Sequence, residues 1–148
     1  MPNLFLQKYL IPVLMRQKIF LIIDDDPDDR EFFCDALKEV DKSAICYTHK
    51  NGMEAINMLS ADDSPVPDFI FLDLNMPVLS GKQCLAALKK IKKLDHSHII
   101  IYTTSKLTDD FSETINMGAM HFLTKPTTFI DLCEALSNIL SKNWEMIK

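Results

Sequence analysis

The sequence predicts an α/β fold, a parallel sheet covered by helices on both faces. Short apolar runs such as Phe69-Ile70-Phe71-Leu72 are continuous rather than alternating, as expected of strands buried on both sides. Each run is followed by a segment with apolar residues at helical spacing, which implies strand–helix–strand units joined by right-handed crossovers. The runs also stop at polar residues, Asp24, Asp73, Thr103 and, just past the last run, Lys125. Open α/β sheets place their ligand sites at such strand ends.

From Lys18 the pattern is regular. Ile19–Ile23 reads as the first strand and stops at Asp24, Asp25 and Asp26. Asp28 is placed to cap the following helix, whose inner face is Phe32, Phe33, Ala36, Leu37 and Val40. Ala44–Thr48 is a short second strand, and Gly52 opens a helix with Ala55, Ile56 and Leu59 inward. A polar, proline-containing loop over 62–67 leads to the central strand Phe69–Leu72. Asp73 ends that strand, because burying a carboxylate beside such a run without a partner is costly. Pro77 closes the extended segment, Gly81 permits the turn, and Lys82–Leu94 reads as the third helix, with Cys84, Leu85, Leu88 and Ile91 inward.

Ile99–Tyr102 makes a fourth strand ending in Thr103, Thr104 and Ser105. A helix over 108–117 is expected to bury Phe111 and Ile115, and Gly118 suits its C-terminal cap. His121–Leu123 is a brief fifth strand, with Lys125 and Pro126 close behind. The last helix starts near Thr128, has Asp131 at capping-box spacing, and turns Leu132, Cys133, Leu136 and Leu140 inward, a stripe that Trp144 continues.

At 148 residues the chain has room for one domain with a real core. A formal net charge of -5 argues against binding a phosphate backbone, so no nucleic-acid partner is expected. Lys89, Lys90, Lys92 and Lys93 read as a solvated helix face, and His49, His96, His98 and His121 share no ligand spacing. Cys34, Cys46, Cys84 and Cys133 contain no C-x-x-C pair, which fits free thiols in a reducing cytosol better than a zinc or redox site.

Residues 1–17, MPNLFLQKYLIPVLMRQ, are expected to be an N-terminal extension to a domain spanning 18–148. Lys8 and Pro12 interrupt the apolar run, and no small-residue cleavage site follows. The segment is too short and broken for a membrane span. Two readings stay open: translation starts at Met15, so that residues 1–14 do not belong to the native protein, or the segment is an amphipathic helix covering a surface.

With this alternation, Asp24, Asp25, Asp73, Thr103 and Lys125 arrive at one edge of the sheet. Carboxylates so close repel one another, which raises their proton affinity unless a cation neutralises them. A hard divalent ion with oxygen ligands fits, and Mg²⁺ is the intracellular choice because it leaves positions for phosphate oxygens. Lys125 supplies a second positive charge, and Thr103 a hydrogen bond to an anionic oxygen. An Asp carboxylate between metal and lysine is able to attack phosphorus and form an acyl phosphate.

The segments IFLIIDDDPDD, FLDLNMPVLSG, IIIYTTS and HFLTKP, taken together and in order, resemble the receiver domain of two-component response regulators over roughly 18–142. That resemblance implies a flavodoxin-like, doubly wound five-stranded sheet of order 2-1-3-4-5. It implies Asp73 as phosphoacceptor, Asp24 and Asp25 as the acidic pair holding Mg²⁺, and the backbone carbonyl of Asn75 as a further ligand. Thr103 matches the switch hydroxyl, Phe122 the switch aromatic, and Lys125 the lysine before a proline. Thr104 stands where the family usually has a small residue, and its bulk is expected to restrict access and slow turnover.

The DDDPDD start and the TTS segment are similar to stand-alone receivers of the phytochrome-associated type, some of which pair as homodimers. The implied partners are a histidine kinase or histidine phosphotransfer protein and a downstream protein target, in the cytoplasm and away from membranes. Any catalysis would be of the domain's own phosphorylation and dephosphorylation. Two other readings compete. A haloacid-dehalogenase-like phosphatase also uses a strand-end Asp, Mg²⁺ and a lysine, but wants a second Asp where Asn75 stands. A receiver-fold scaffold that is never phosphorylated is the other.

Overall fold

The structure is a computed structural model and describes residues 17–142. The N-terminal extension, apart from Gln17, and Trp144 lie outside the described residues. In chain order the elements are β1 (Ile19–Ile23), α1 (Pro27–Val40), β2 (Ile45–His49), α2 (Gly52–Leu59), β3 (Phe69–Leu72), α3 (Gly81–Leu88), a 3₁₀ turn (Lys92–Leu94), β4 (His98–Thr103), α4 (Thr108–Asn116), β5 (His121–Thr124) and α5 (Phe129–Ser141). The five strands are parallel, in the order β2-β1-β3-β4-β5. This is the flavodoxin-like doubly wound sheet that the sequence implies.

The continuous apolar runs are explained by two cores, one on each face. Leu21, Ile23, Ile70, Leu72, Ile99 and Ile101 point to the side covered by α2 and α3, where Ala55, Leu59, Cys84, Leu85 and Leu88 meet them. Phe20, Ile22, Phe69, Phe71, Ile100 and Tyr102 point the other way, against Phe33, Ala36 and Leu37 of α1 and Leu132, Leu136 and Ile139 of α5. The two-residue period of a strand divides one run between both layers. Edge strand β2 is only partly covered, and accordingly carries Tyr47 and Thr48 outward.

Four expectations need correction. The cap of α1 is Asp26 rather than Asp28: its side chain accepts from the Asp28 and Asp29 N–H groups, and Pro27 takes the first helical position, where its missing N–H costs nothing. Helix α3 stops at Leu88 instead of running to Leu94. Its last turn tightens, with Lys90 N–H donating to Ala87 O and Ile91 N–H to Leu88 O, and Ile91 becomes extended. Continuing the helix would carry Leu94, 4% exposed, away from the core it fills.

Phe111 is 49% exposed, because α4 lies over the thin edge of the sheet; Thr114 is its buried residue, donating to Asp110 O at 2.7 Å. Cys34 of α1 and Cys46 of β2 are bridged as a disulfide, with Cα atoms 6.2 Å apart, so the expectation of free thiols holds only for Cys84 and Cys133. Packing α1 onto β1 and β2 sets the two side chains face to face, which spacing along the chain does not reveal. Among the described residues, no helix is long and apolar enough to cross a membrane.

Candidate functional site

The sheet's own hydrogen bonds carry its register past the strand ends and set the site residues level. Asp24 N–H donates to His49 O (3.1 Å), Asp73 N–H to Ile23 O (3.0 Å) and Lys125 N–H to Thr103 O (2.8 Å). These extend by one residue the pairings Ile23 with Leu72 and Thr103 with Thr124. The strand order reverses between β1 and β3, and such a switch point is where open sheets form a crevice.

Three acids meet there. Oxygens of Asp24, Asp25 and Asp73 all lie within 4.8 Å of one another. Asp24 is 0% and Asp73 5% exposed, whereas Asp25 faces solvent. Asp24 Oδ1 accepts the Asp26 N–H (3.0 Å), Arg30 Nη1 donates to the Asp24 carbonyl (2.8 Å), and Asp73 Oδ1 accepts the Asn75 N–H (3.3 Å). Asn75 itself is exposed, two residues beyond the central strand.

Lys125 reaches into this group from the far edge of β5. Its Nζ lies 2.6 Å from Asp24 Oδ2, 2.8 Å from Asp29 Oδ2 and 3.6 Å from Asp73 Oδ2. The buried Asp24 Oδ2, otherwise without a hydrogen-bond partner, faces this ammonium. The Tyr102 ring centre is 5.4 Å away, on a phenol whose pKa burial raises. Burial alone would lower the pKa of Lys125, but hydrogen bonds to Asp24 and Asp29 outweigh it and raise the value, so the ammonium persists. Burial also raises the Asp24 carboxyl, against the opposing pull of Lys125 and the Asp26 N–H, and the charge of Asp73 adds a smaller push the same way.

Thr103 ends β4 fully buried, and its Oγ1 accepts the Ser105 N–H at 3.5 Å. Thr104 is exposed at the strand end. Phe122 is half-buried on β5, paired with Ile101 in the ladder, and its ring meets that of Phe111 edge-on with centres 5.7 Å apart. The structure thus gathers Asp24, Asp25, Asp73 and Lys125 into one cleft. Two contributors escaped sequence reasoning, Asp29 and Tyr102. Asp29 looked like one more acid in a solvated helix start, and its only sequence signal is its place in the first turn after the Asp24–Asp25 pair.

The donor set suits a small divalent cation. Two buried carboxylates and an exposed one bring oxygen ligands within 4.8 Å of one another, the hard donor set that such an ion takes.

The fold and cleft define a class, the doubly wound α/β domains that act at an acidic switch point between two adjacent strands. Comparison with known proteins narrows it: the family model for the response regulator receiver domain matches residues 20–137, and the chain belongs to that family. It is 30% identical to the chemotaxis protein CheY of Halobacterium salinarum over 117 residues, 77% of this chain and 92% of that protein. It is 28% identical to response regulator Rcp1 of Synechocystis over 130 residues, 84% of this chain and 87% of that one. A protein-glutamate methylesterase/protein-glutamine glutaminase of Methanococcoides burtonii is 31% identical over 124 residues, but the match spans only 34% of that longer relative. Among solved structures, the phosphorylated cyanobacterial phytochrome response regulator RcpA superposes with a TM-score of 0.75 at 25% identity, covering 83% of this chain and 91% of that one. The Mn²⁺-bound form of Rcp1 gives 0.74 at 27% identity, covering 86% and 94%.

Proposed function

We propose that this receiver accepts a phosphoryl group on Asp73 from the phosphohistidine of a kinase or phosphotransfer protein, with Mg²⁺ bound, and passes the signal on by protein contact. The observation that carries this reading is the Lys125 ammonium held within 3.6 Å of a 5%-exposed Asp73 that also shares a cleft with two further acids. An Asp73 oxygen forms the new bond to phosphorus, the P–N bond of the donor breaks, and its electron pair returns to the imidazole. Asp24, Asp25, Asp73 and the Asn75 carbonyl are the residues that would hold Mg²⁺, which supplies charge neutralisation at the phosphoryl oxygens. The Mn²⁺-bound state of the relative Rcp1 supports that assignment.

Lys125 balances the charge that accumulates on the oxygens facing β5. Thr103 donates its hydroxyl to one of them, and Phe122 follows by turning inward, away from Phe111. Thr104, exposed just after Thr103, is in this reading the residue whose bulk slows water from reaching the acyl phosphate. We take the unit to run from 18 to 148, with residues 1–17 as an extension. The surface of α4, β5 and α5 is the one that presents the change to a protein target or to a second copy of the chain. The net charge of -5 favours such a protein contact over nucleic acid.

Incubating the full chain with Mg²⁺ and acetyl phosphate, then measuring intact mass, tests the reading. Wild type should gain one phosphoryl group and Asp73→Ala none. No gain in wild type, or an equal gain in Asp73→Ala, overturns it, and steady release of phosphate from generic phosphomonoesters would point to a phosphatase instead.

A further inference from the structure

The ammonium of Lys125 has three N–H bonds to give and three carboxylates around it, at unequal distances. Asp24 at 2.6 Å and Asp29 at 2.8 Å take it firmly, whereas Asp73 stands off at 3.6 Å. Asp24 is fixed in place by the Asp26 N–H and has no exposure. Asp29 differs from both others: its side chain is 37% exposed, and it projects from the first turn of α1, which the Asp26 cap and Pro27 hold rigid. It therefore stands on the solvent side of the ammonium, opposite the protein interior.

These distances decide what must change when a phosphoryl group arrives at Asp73. Lys125 has to shift toward the new anionic oxygens, and one of its present partners has to let go. Releasing Asp24 would break the shortest of the three contacts, at a buried oxygen that has no hydrogen-bond partner to replace it. Releasing Asp29 returns a half-exposed carboxylate to water, at a cost comparable to breaking a surface ion pair.

Resting on the reading of Asp73 as phosphoacceptor, we propose that Asp29 is a positioning residue whose carboxylate holds the Lys125 ammonium beside Asp24 and off Asp73, so that phosphoryl acceptance requires this hold to be exchanged for a phosphoryl oxygen. Asp29 then sets the ease of phosphorylation without touching the reacting atoms. Its negative charge restrains the resting state, and its exposure makes the restraint reversible.

Two measurements on the full chain test this. The first is the initial rate of phosphoryl uptake from acetyl phosphate at saturating Mg²⁺. Asp29→Asn should raise it about threefold, the size expected when a half-screened ion pair no longer has to be broken. Asp29→Glu should restore the wild-type rate, and Asp28→Asn, which removes an equal charge one residue away, should leave it within error. An Asp29→Asn rate equal to or below wild type, or an equal acceleration by Asp28→Asn, overturns the proposal.

The second measurement needs no phosphorylation: a double-mutant cycle of Asp29→Asn and Lys125→Met on the unfolding constant. The two losses should be non-additive by at least about twofold, because each substitution removes the same pair. Additive losses overturn the hold on Lys125 whether or not Asp73 accepts a phosphoryl group. A coupled cycle in a wild type that gains no mass upholds the hold and defeats only the phosphoacceptor reading.

Discussion

Gly81 opens α3 where the helix comes closest to the exit of the central strand. A Cβ built there meets the Asp73 carbonyl oxygen at 2.2 Å, the Leu74 Cα at 2.4 Å and the Asp73 carbonyl carbon at 2.9 Å. All three are backbone atoms, so no rotamer change relieves the clash. Comfortable contact lies at about 3.5 Å, so the segment carrying Asp73 must move by about 1.3 Å relative to α3. Both sides resist: Gly81 N–H donates to Leu74 O at 2.9 Å, and the Ser80–Gln83 capping box fixes the start of the helix.

Overpacking of this kind costs about 3 kcal/mol, offset by about 0.5–1 kcal/mol from the helix preference of alanine over glycine. A net loss of about 2–2.5 kcal/mol corresponds to a decrease in the urea midpoint of about 1 M at unchanged slope. Gly52→Ala is the matched control. The atoms nearest its Cβ are side-chain atoms of Leu79 and Cys84, at 3.0 to 3.3 Å, which need to shift by only a few tenths of an ångström, so its loss should stay below that of Gly81→Ala. Urea melts followed by circular dichroism measure both. A Gly81→Ala midpoint equal to wild type, or a larger loss in Gly52→Ala, would refute the reasoning. Because the displaced segment is the one that holds Asp73, phosphoryl uptake should fall with stability in Gly81→Ala and stay near wild type in Gly52→Ala.

Val78 is 98% exposed yet held at a φ of 67°, in a tight turn closed by Leu79 N–H to Pro77 O at 2.8 Å. A β-branched residue is strained there, so Val78→Gly should stabilise the protein by about 1 kcal/mol in the same melts, and a loss of stability would count against it. Burial lowers the pKa of His121, with Lys142 adding to the effect. The unfolded chain then binds the proton more readily, so this residue's contribution is complete above the unfolded value near 6.5 and declines as pH falls through the lowered folded value. The difference between wild-type and His121→Gln stability curves should show that decline, and a flat difference would refute it. Unreduced protein alkylated in denaturant should take up two groups, at Cys84 and Cys133, and reduced protein four, whereas four without reduction would exclude the Cys34–Cys46 bridge. In the native state Cys84 should stay unlabelled, since burial pushes its thiol up to about 12.

Strand positions and strand ends were legible because burial on both faces leaves an unmistakable run of apolar residues, and because a charge that terminates such a run has few places to go. That is enough to put Asp24, Asp73, Thr103 and Lys125 at one edge from the sequence alone. Helix ends were less legible. Asp26 and Asp28 are equally good caps by type, and only Pro27, which belongs at the first helical position, distinguishes them. The end of α3 is decided by where Leu94 must pack, a tertiary demand that the Lys-rich segment itself does not encode. Asp29 was illegible for a related reason: its partner is 96 residues away, and the two meet only because the parallel sheet brings the start of α1 and the end of β5 to the same edge.

The same geometry suggests how a change at Asp73 reaches the surface. The Ser105 N–H bond to Thr103 Oγ1 is long, at 3.5 Å, while the Ser105 hydroxyl donates to Asp110 at 2.5 Å and Lys82 binds Asp110 at 2.7 Å and Glu113 at 2.6 Å. A hydroxyl that turns toward a phosphoryl oxygen loses the weakest of these bonds first. The Ser105 side chain is then still held from its outer end, by α4, whose two acids are tied through Lys82 to α3. That asymmetry favours movement of the loop with α4 as a unit, and it leaves Phe122, packed edge-on against Phe111 of the same helix, to follow. The Lys82–Glu113 pair is exposed and weak and the Lys82–Asp110 pair is partly accessible, and a shift of loop and helix together leaves both intact. If Asp73 carries a phosphoryl group, as proposed above, this is the route by which its charge would be felt at α4.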